Sequence, residues 1–137
     1  MNSQLIFIPV LVQVLLTIVL YVLLNVRKVR AVKAGDVNEA RRGLYDDAWP
    51  EYVLKVNNCI RNQFEVPVLF YVVSISLAVL GAVSMPALVL AWLFAASRIA
   101  HAYVHTGSNY VPLRRKIFTV GVLIVLLMSM LLVAALL

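Results

Sequence analysis

The sequence predicts an all-α protein, an integral-membrane four-helix bundle. Hydrophobic residues make up 64% of the chain and charged residues only 13%, about half of the roughly 25% usual in soluble domains. The apolar residues fall into four long runs, and most of the basic residues gather beside them. A soluble domain of 137 residues could not bury that much apolar surface, whereas a hydrocarbon core of about 30 Å accepts about 20 helical residues per crossing. The net charge of +6 would suggest nucleic acid in a soluble chain. Flanking spans, it instead sets orientation, so no nucleic-acid partner is expected. Cys59 is the single cysteine, which excludes an intramolecular disulfide, and no CxxC or His/Cys spacing points to a metal. The N-terminus lacks the basic n-region and cleavage site of a signal peptide.

One domain covers residues 1–137, with spans expected at about 4–26, 58–80, 86–106 and 117–137. Met1 to Val26 carries no charge; Gln13, Thr17 and Asn25 are its polar interruptions. Arg27, Lys28, Arg30, Lys33, Arg41 and Arg42 follow, and with Gly35, Asp36, Gly43, Asp46 and Asp47 they read as a loop. Asp46 or Asp47 is suited to cap the next helix, with Pro50 and Glu51 in its first turn. The uncharged run from Val66 to Leu80 is too short to cross alone, so the second span must take in Arg61, Asn62 and Glu65. Gly81 to Met85 forms a short turn. The third span holds Arg98 and His101 and ends at Gly107, Ser108 and Asn109. Arg114, Arg115 and Lys116 precede the last span. The positive-inside rule puts both basic loops in the cytoplasm and both termini outside. The ending Leu136-Leu137 carries no eukaryotic-style retention signal, which fits a bacterial inner membrane with periplasmic termini.

The polar residues inside the spans carry the chemistry. Asn58, Arg61, Asn62 and Glu65 share one helix face, as do Arg98, His101 and His105. Antiparallel spans joined by a short turn put Glu65 and Arg98 at similar depth, where an ion pair is expected. An unpaired arginine at the centre of a span costs about 2.5–3.5 kcal/mol on insertion scales, so such residues pair or face a wet cavity. A structural staple needs one pair. The excess of Arg27, Arg61, Arg98 and Arg114 over Glu65 instead points to an anionic ligand entering from the cytoplasmic side. The bland readings hold elsewhere: Cys59 and the tryptophans as packing, Tyr103 and Tyr110 as interfacial anchors, and the histidines as hydrogen-bonding partners before proton carriers.

The segment Asn58-Cys-Ile-Arg61-Asn62-Gln-Phe-Glu65-Val-Pro67 resembles the second helix of the MAPEG family, the membrane-associated proteins of eicosanoid and glutathione metabolism. Ser97-Arg98-Ile-Ala-His101, through Gly107 to Pro112-Leu-Arg114, is most similar to the branch holding the microsomal prostaglandin E synthases and glutathione transferases. The resemblance runs along essentially the whole chain. It implies a homotrimer with glutathione as cofactor, bound between neighbouring protomers near the cytoplasmic side. By position it assigns Arg27, Arg61, Asn62, Glu65 and His101 to glutathione contact, and Arg114 to catalysis by holding the thiolate; Arg98 and His105, sharing the face of His101, complete the binding set. Departures also stand out. Asn58 replaces an arginine usual in catalytic members, His105 and Phe118 replace tyrosines of the prostaglandin enzymes, Tyr110 replaces an arginine, and Arg115 replaces a serine, so prostaglandin synthesis is not expected.

These features lead to a membrane-bound glutathione-dependent transferase or peroxidase acting on lipophilic electrophiles, with membrane lipids, a lipophilic small molecule and its own copies as partners. The rival from another class is a non-catalytic lipid-binding or scaffold trimer. A small transporter or proton relay using Glu65 and the histidines is a third, against which stands the lack of a Pro/Gly break central to a span. The topology is open to test with single cysteines at Ser3 and Val37 in a Cys59→Ala background. An impermeant thiol reagent added from outside should label position 3 and spare position 37; the opposite pattern would invert the assignment.

Overall fold

The computed structural model describes all 137 residues, and every regular element is helical. After a short 3₁₀ turn at Ser3–Ile6 come α1 (Phe7–Ala34), α2 (Glu51–Gln63), α3 (Val66–Val79), α4 (Met85–Thr106) and α5 (Val111–Leu136). Four helical stretches are long and apolar enough to cross a membrane, α2 and α3 together forming the second.

Two helices extend beyond their apolar runs. The basic residues from Arg27 to Lys33 lie on α1 itself, not in a loop. Nothing in Arg-Lys-Val-Arg-Ala-Val-Lys-Ala opposes helix, and α1 stops only at Gly35, whose φ of 73° is the left-handed conformation glycine adopts without strain. Likewise α5 begins at Val111, with Pro112 in its first turn, where a missing N–H costs nothing. Arg114, Arg115 and Lys116 are therefore helical. Asp46 and Asp47 do not cap α2: they form a 3₁₀ turn and pair with Arg61 and Arg41. Pro50 precedes the first residue of α2, Glu51.

The second crossing is broken in the middle, contrary to the expectation that no span carries a central Pro/Gly break. Phe64 closes α2, and Glu65 leaves the helical region, with φ −100° and ψ −108°, before α3 begins. Pro67 explains this: it has no N–H to give, and its ring would strike the carbonyl four residues back, that of Gln63.

Two apolar clusters fill the bundle. The larger joins Ile6 and Val10 of the N-terminal end to Phe70, Leu77, Phe94 and Met128, with Phe70 and Phe94 stacked at 4.3 Å. The smaller, toward the basic side, joins Leu20, Val56, Cys59, Ile60 and Ala102. A polar layer divides them. In it the buried Gln13 Nε2 donates to Gln63 Oε1 at 2.8 Å, tying α1 to α2, and Arg98 is only 1% exposed. Interhelical side-chain hydrogen bonds of this kind hold helices together where lipid removes the hydrophobic incentive.

On the basic side Arg27 acts as a clasp. Its Nη1 donates to the carbonyls of Tyr52 (2.7 Å) and Thr106 (3.0 Å), so one guanidinium gathers α1, the first turn of α2 and the last turn of α4. The Thr106 carbonyl belongs to a helix end, where carbonyls lack helical partners. Arg27→Met should cost about 0.5–1.5 kcal/mol, the net worth of a typical hydrogen bond, because the two acceptors are only part-buried, and lower the thermal unfolding midpoint in detergent. Arg27→Lys, which keeps a donor, should restore part of the loss.

Candidate functional site

The site grows out of the break in the second crossing. Because the helix opens between Gln63 and Val66, the Asn62 side chain at the end of α2 can turn toward Glu65, donating Nδ2 to Oε2 at 2.9 Å. Its carbonyl oxygen faces the other way and accepts from Arg98 Nη2 on α4. Asn62 thus stands between the arginine and the carboxylate. The direct Glu65–Arg98 ion pair expected from their depth is not formed; the structure's four ion pairs all lie elsewhere. An asparagine can serve both because its amide carries donors and an acceptor at opposite corners.

One and two turns beyond Arg98, α4 carries His101 and His105, 2% and 7% exposed. Their rings meet edge to face at 5.4 Å, and His101 also lies against Phe118 of α5 at 6.2 Å. The Nδ1 atoms of both histidines, and Arg98 Nε, are buried without a protein partner. Such atoms are rare in native interiors and mark places where a guest molecule or water is received.

The α4–α5 connection sets the last wall. Asn109 takes a left-handed backbone, φ 53°, which asparagine tolerates better than most residues. Its N–H returns to Val104 O at 2.7 Å, closing the end of α4, while its side-chain oxygen accepts from Arg114 Nη1. The turn that ends α4 therefore also fixes the arginine that begins α5. Arg114, Arg115, Phe118 and Thr119 follow at helical spacing, so α5 presents one face to the histidines.

These pieces line an open cleft of about 270 Å³, formed by Asn62, Glu65, His101, His105, Arg114, Arg115, Phe118 and Thr119. Of the residues singled out in the sequence, Asn62, Glu65, His101, His105 and Arg114 meet here. Arg98 lies directly behind Asn62. Arg27 and Arg61 do not reach the pocket: Arg27 holds the two carbonyls described above, and Arg61 pairs with Asp46 of the α1–α2 connection. Thr119 carries no signal in the sequence, and Arg115 and Phe118 stand out there only as departures from a family pattern. A start of α5 at Val111, with Pro112 in the first turn, puts all three on the face of Arg114, and that start is the signal that finds them.

The structure defines an integral-membrane four-helix protein with a cationic, histidine-lined pocket open on the side of its bundle. A model of the MAPEG family matches residues 5–134, and the chain belongs to that family, which includes glutathione-dependent transferases and peroxidases. No curated protein and no solved structure matches it.

A double-mutant cycle tests the role of Asn62. Groups in contact couple by about 0.5–3 kcal/mol, with membrane hydrogen bonds toward the low end. Unfolding of Asn62→Leu, Arg98→Leu and the double variant in detergent should give a coupling of about 0.5–1.5 kcal/mol. The Glu65–Arg98 cycle measured in an Asn62→Leu background should fall below about 0.5 kcal/mol.

Proposed function

We propose that the protein is a glutathione-dependent transferase or peroxidase acting on lipophilic electrophiles. One observation carries the reading: the pocket sets a single carboxylate, Glu65, among Arg114, Arg115 and two histidines, with Arg98 behind. This pattern complements a tripeptide bearing two carboxylates, one ammonium and a thiol. The residues also fit in what they lack, since the buried Nδ1 atoms of His101 and His105 have no protein partner and can serve a polar guest.

Bound glutathione supplies a thiol that is nucleophilic as its thiolate. Arg114, held by Asn109, stabilises negative charge at the pocket wall. Glu65 receives the ammonium, and Asn62 keeps that carboxylate turned inward. Arg115 offers a cation for the carboxylates, and Arg98 adds positive charge from behind Asn62. Phe118 lends an apolar edge at which a lipid-borne substrate can meet the polar pocket. Asn58, Arg61 and Glu65 lie on an exposed face of the second crossing. Polar groups at that depth need cover, and a second copy of the chain supplies it in the homotrimer that the family resemblance implies. A non-catalytic lipid-binding trimer is the second reading, favoured by Asn58, His105 and Phe118 standing where the related enzymes carry arginine and tyrosines.

Thiolate spectroscopy separates the two. A free thiol near pKa 8.5 is only a few per cent ionised at pH 7. About 2 kcal/mol of anion stabilisation lowers the value by about 1.5 units, which makes roughly half the bound thiol ionised. Saturating glutathione should therefore produce a near-ultraviolet thiolate band. Arg114→Leu should remove the band while much of the calorimetrically measured binding persists. Binding without any band in the parent protein would favour the lipid-binding reading, and absence of binding would end the glutathione assignment.

A further inference from the structure

Away from this site, the basic end of α1 forms a second cleft. Lys28, Val29, Val32 and Lys33 line it from α1, and Arg42 and Trp49 close it from the α1–α2 connection; its volume is about 330 Å³. No carboxylate lines it. Lys28 and Lys33 belong to none of the ion pairs, and Arg42 alone is paired, with Glu39 at 2.8 Å. The Lys28 ammonium rests over the Trp49 ring, 4.9 Å from its centre, which fixes the cation where a flexible lysine would otherwise wander.

Two further features say what the cleft receives. The uncharged part of α1 from Phe7 to Val26 is about 30 Å long at 1.5 Å per residue, the thickness of a hydrocarbon core. Lys28 therefore sits at the headgroup level, beside an interfacial tryptophan. Leading to the cleft along α1 is an exposed apolar stripe, Leu11, Leu15, Ile18, Val22 and Val29, at spacings of four, three, four and seven residues that keep one helix face. Cations lie at the top and an apolar track runs below, matching an anionic headgroup and its acyl chain. Basic clusters immediately beyond a span attract anionic lipid at about 1 kcal/mol per Lys or Arg.

We propose that this cleft binds the headgroup of an anionic glycerophospholipid from the surrounding leaflet, its phosphate between Lys28 and Lys33 and its acyl chain along the exposed stripe of α1. The lipid's negative charge offsets the repulsion among the basic residues at this end of the helix and secures the α1–α2 connection against α1 through Trp49.

The test uses the full chain with Trp92→Phe, leaving Trp49 as the single tryptophan, in nanodiscs whose lipids are brominated near the head end of the acyl chains. Brominated phosphatidylglycerol should quench Trp49 several-fold more effectively than equally brominated phosphatidylcholine at the same mole fraction. Lys28→Gln with Lys33→Gln should remove most of that preference, bringing the ratio close to one. Arg41→Gln with Lys116→Gln, which removes the same charge elsewhere on that side, should leave it largely intact. Equal quenching by the two lipids would overturn the proposal. So would an equal loss in both paired variants, which would mean diffuse attraction. Abolition of the preference by millimolar inorganic phosphate would reassign the cleft to a soluble anion and also overturn it.

Discussion

The arrangement depends on Arg98. Its guanidinium is almost fully buried, about 12 Å from the end of α4 nearest the basic loops, counted at 1.5 Å per residue. A charge there is tolerated only with hydrogen-bond partners in the protein, and the acceptor it finds is the Asn62 carbonyl oxygen. That oxygen is in reach because α2 ends where it does, and α2 ends there because Pro67 interrupts the crossing. Proline, asparagine and arginine form one causal chain from backbone geometry to an occupied polar core.

The same chain shapes the pocket. With its oxygen given to Arg98, Asn62 has its amide nitrogen left for Glu65, so the carboxylate is held at the pocket wall instead of collapsing onto the arginine. The pocket keeps a distinct negative group among its cations as a result. The polar layer also divides the core: the larger apolar cluster lies on the side of the chain termini, and the smaller one supports the basic side, where Arg27 gathers three helices by their carbonyls. Rigid packing below and backbone clasping above leave the pocket on well-fixed elements.

The four crossings are legible in the sequence because apolar runs of that length are stable in little besides a bilayer. That Arg61, Asn62 and Glu65 belong to the second helical stretch is legible too, from the shortness of the run between Val66 and Leu80. The helix ends are less so. A stretch such as Arg27 to Lys33 is as compatible with helix as with loop, and only Gly35 marks the stop. The same ambiguity around Pro112 conceals the face of α5 holding Arg115, Phe118 and Thr119. The ion pair between Glu65 and Arg98 is a sound inference from depth, yet depth cannot reveal an asparagine placed between them by a broken turn. The clasp formed by Arg27 is illegible for a simpler reason: its partners are main-chain carbonyls, which every residue possesses and no sequence pattern advertises.

The order of the elements along the chain bears on how the protein enters the bilayer. On its own, α4 is a poor candidate for insertion, since it carries Arg98 and two histidines. During synthesis, however, α2 and α3 emerge before it, and in the fold α4 packs against α2. Asn62 is then already at hand when Arg98 leaves the aqueous channel of the insertion machinery. The most costly residue in the protein arrives second to its partner, so the polar layer is a timetable for biogenesis as well as an element of the finished fold.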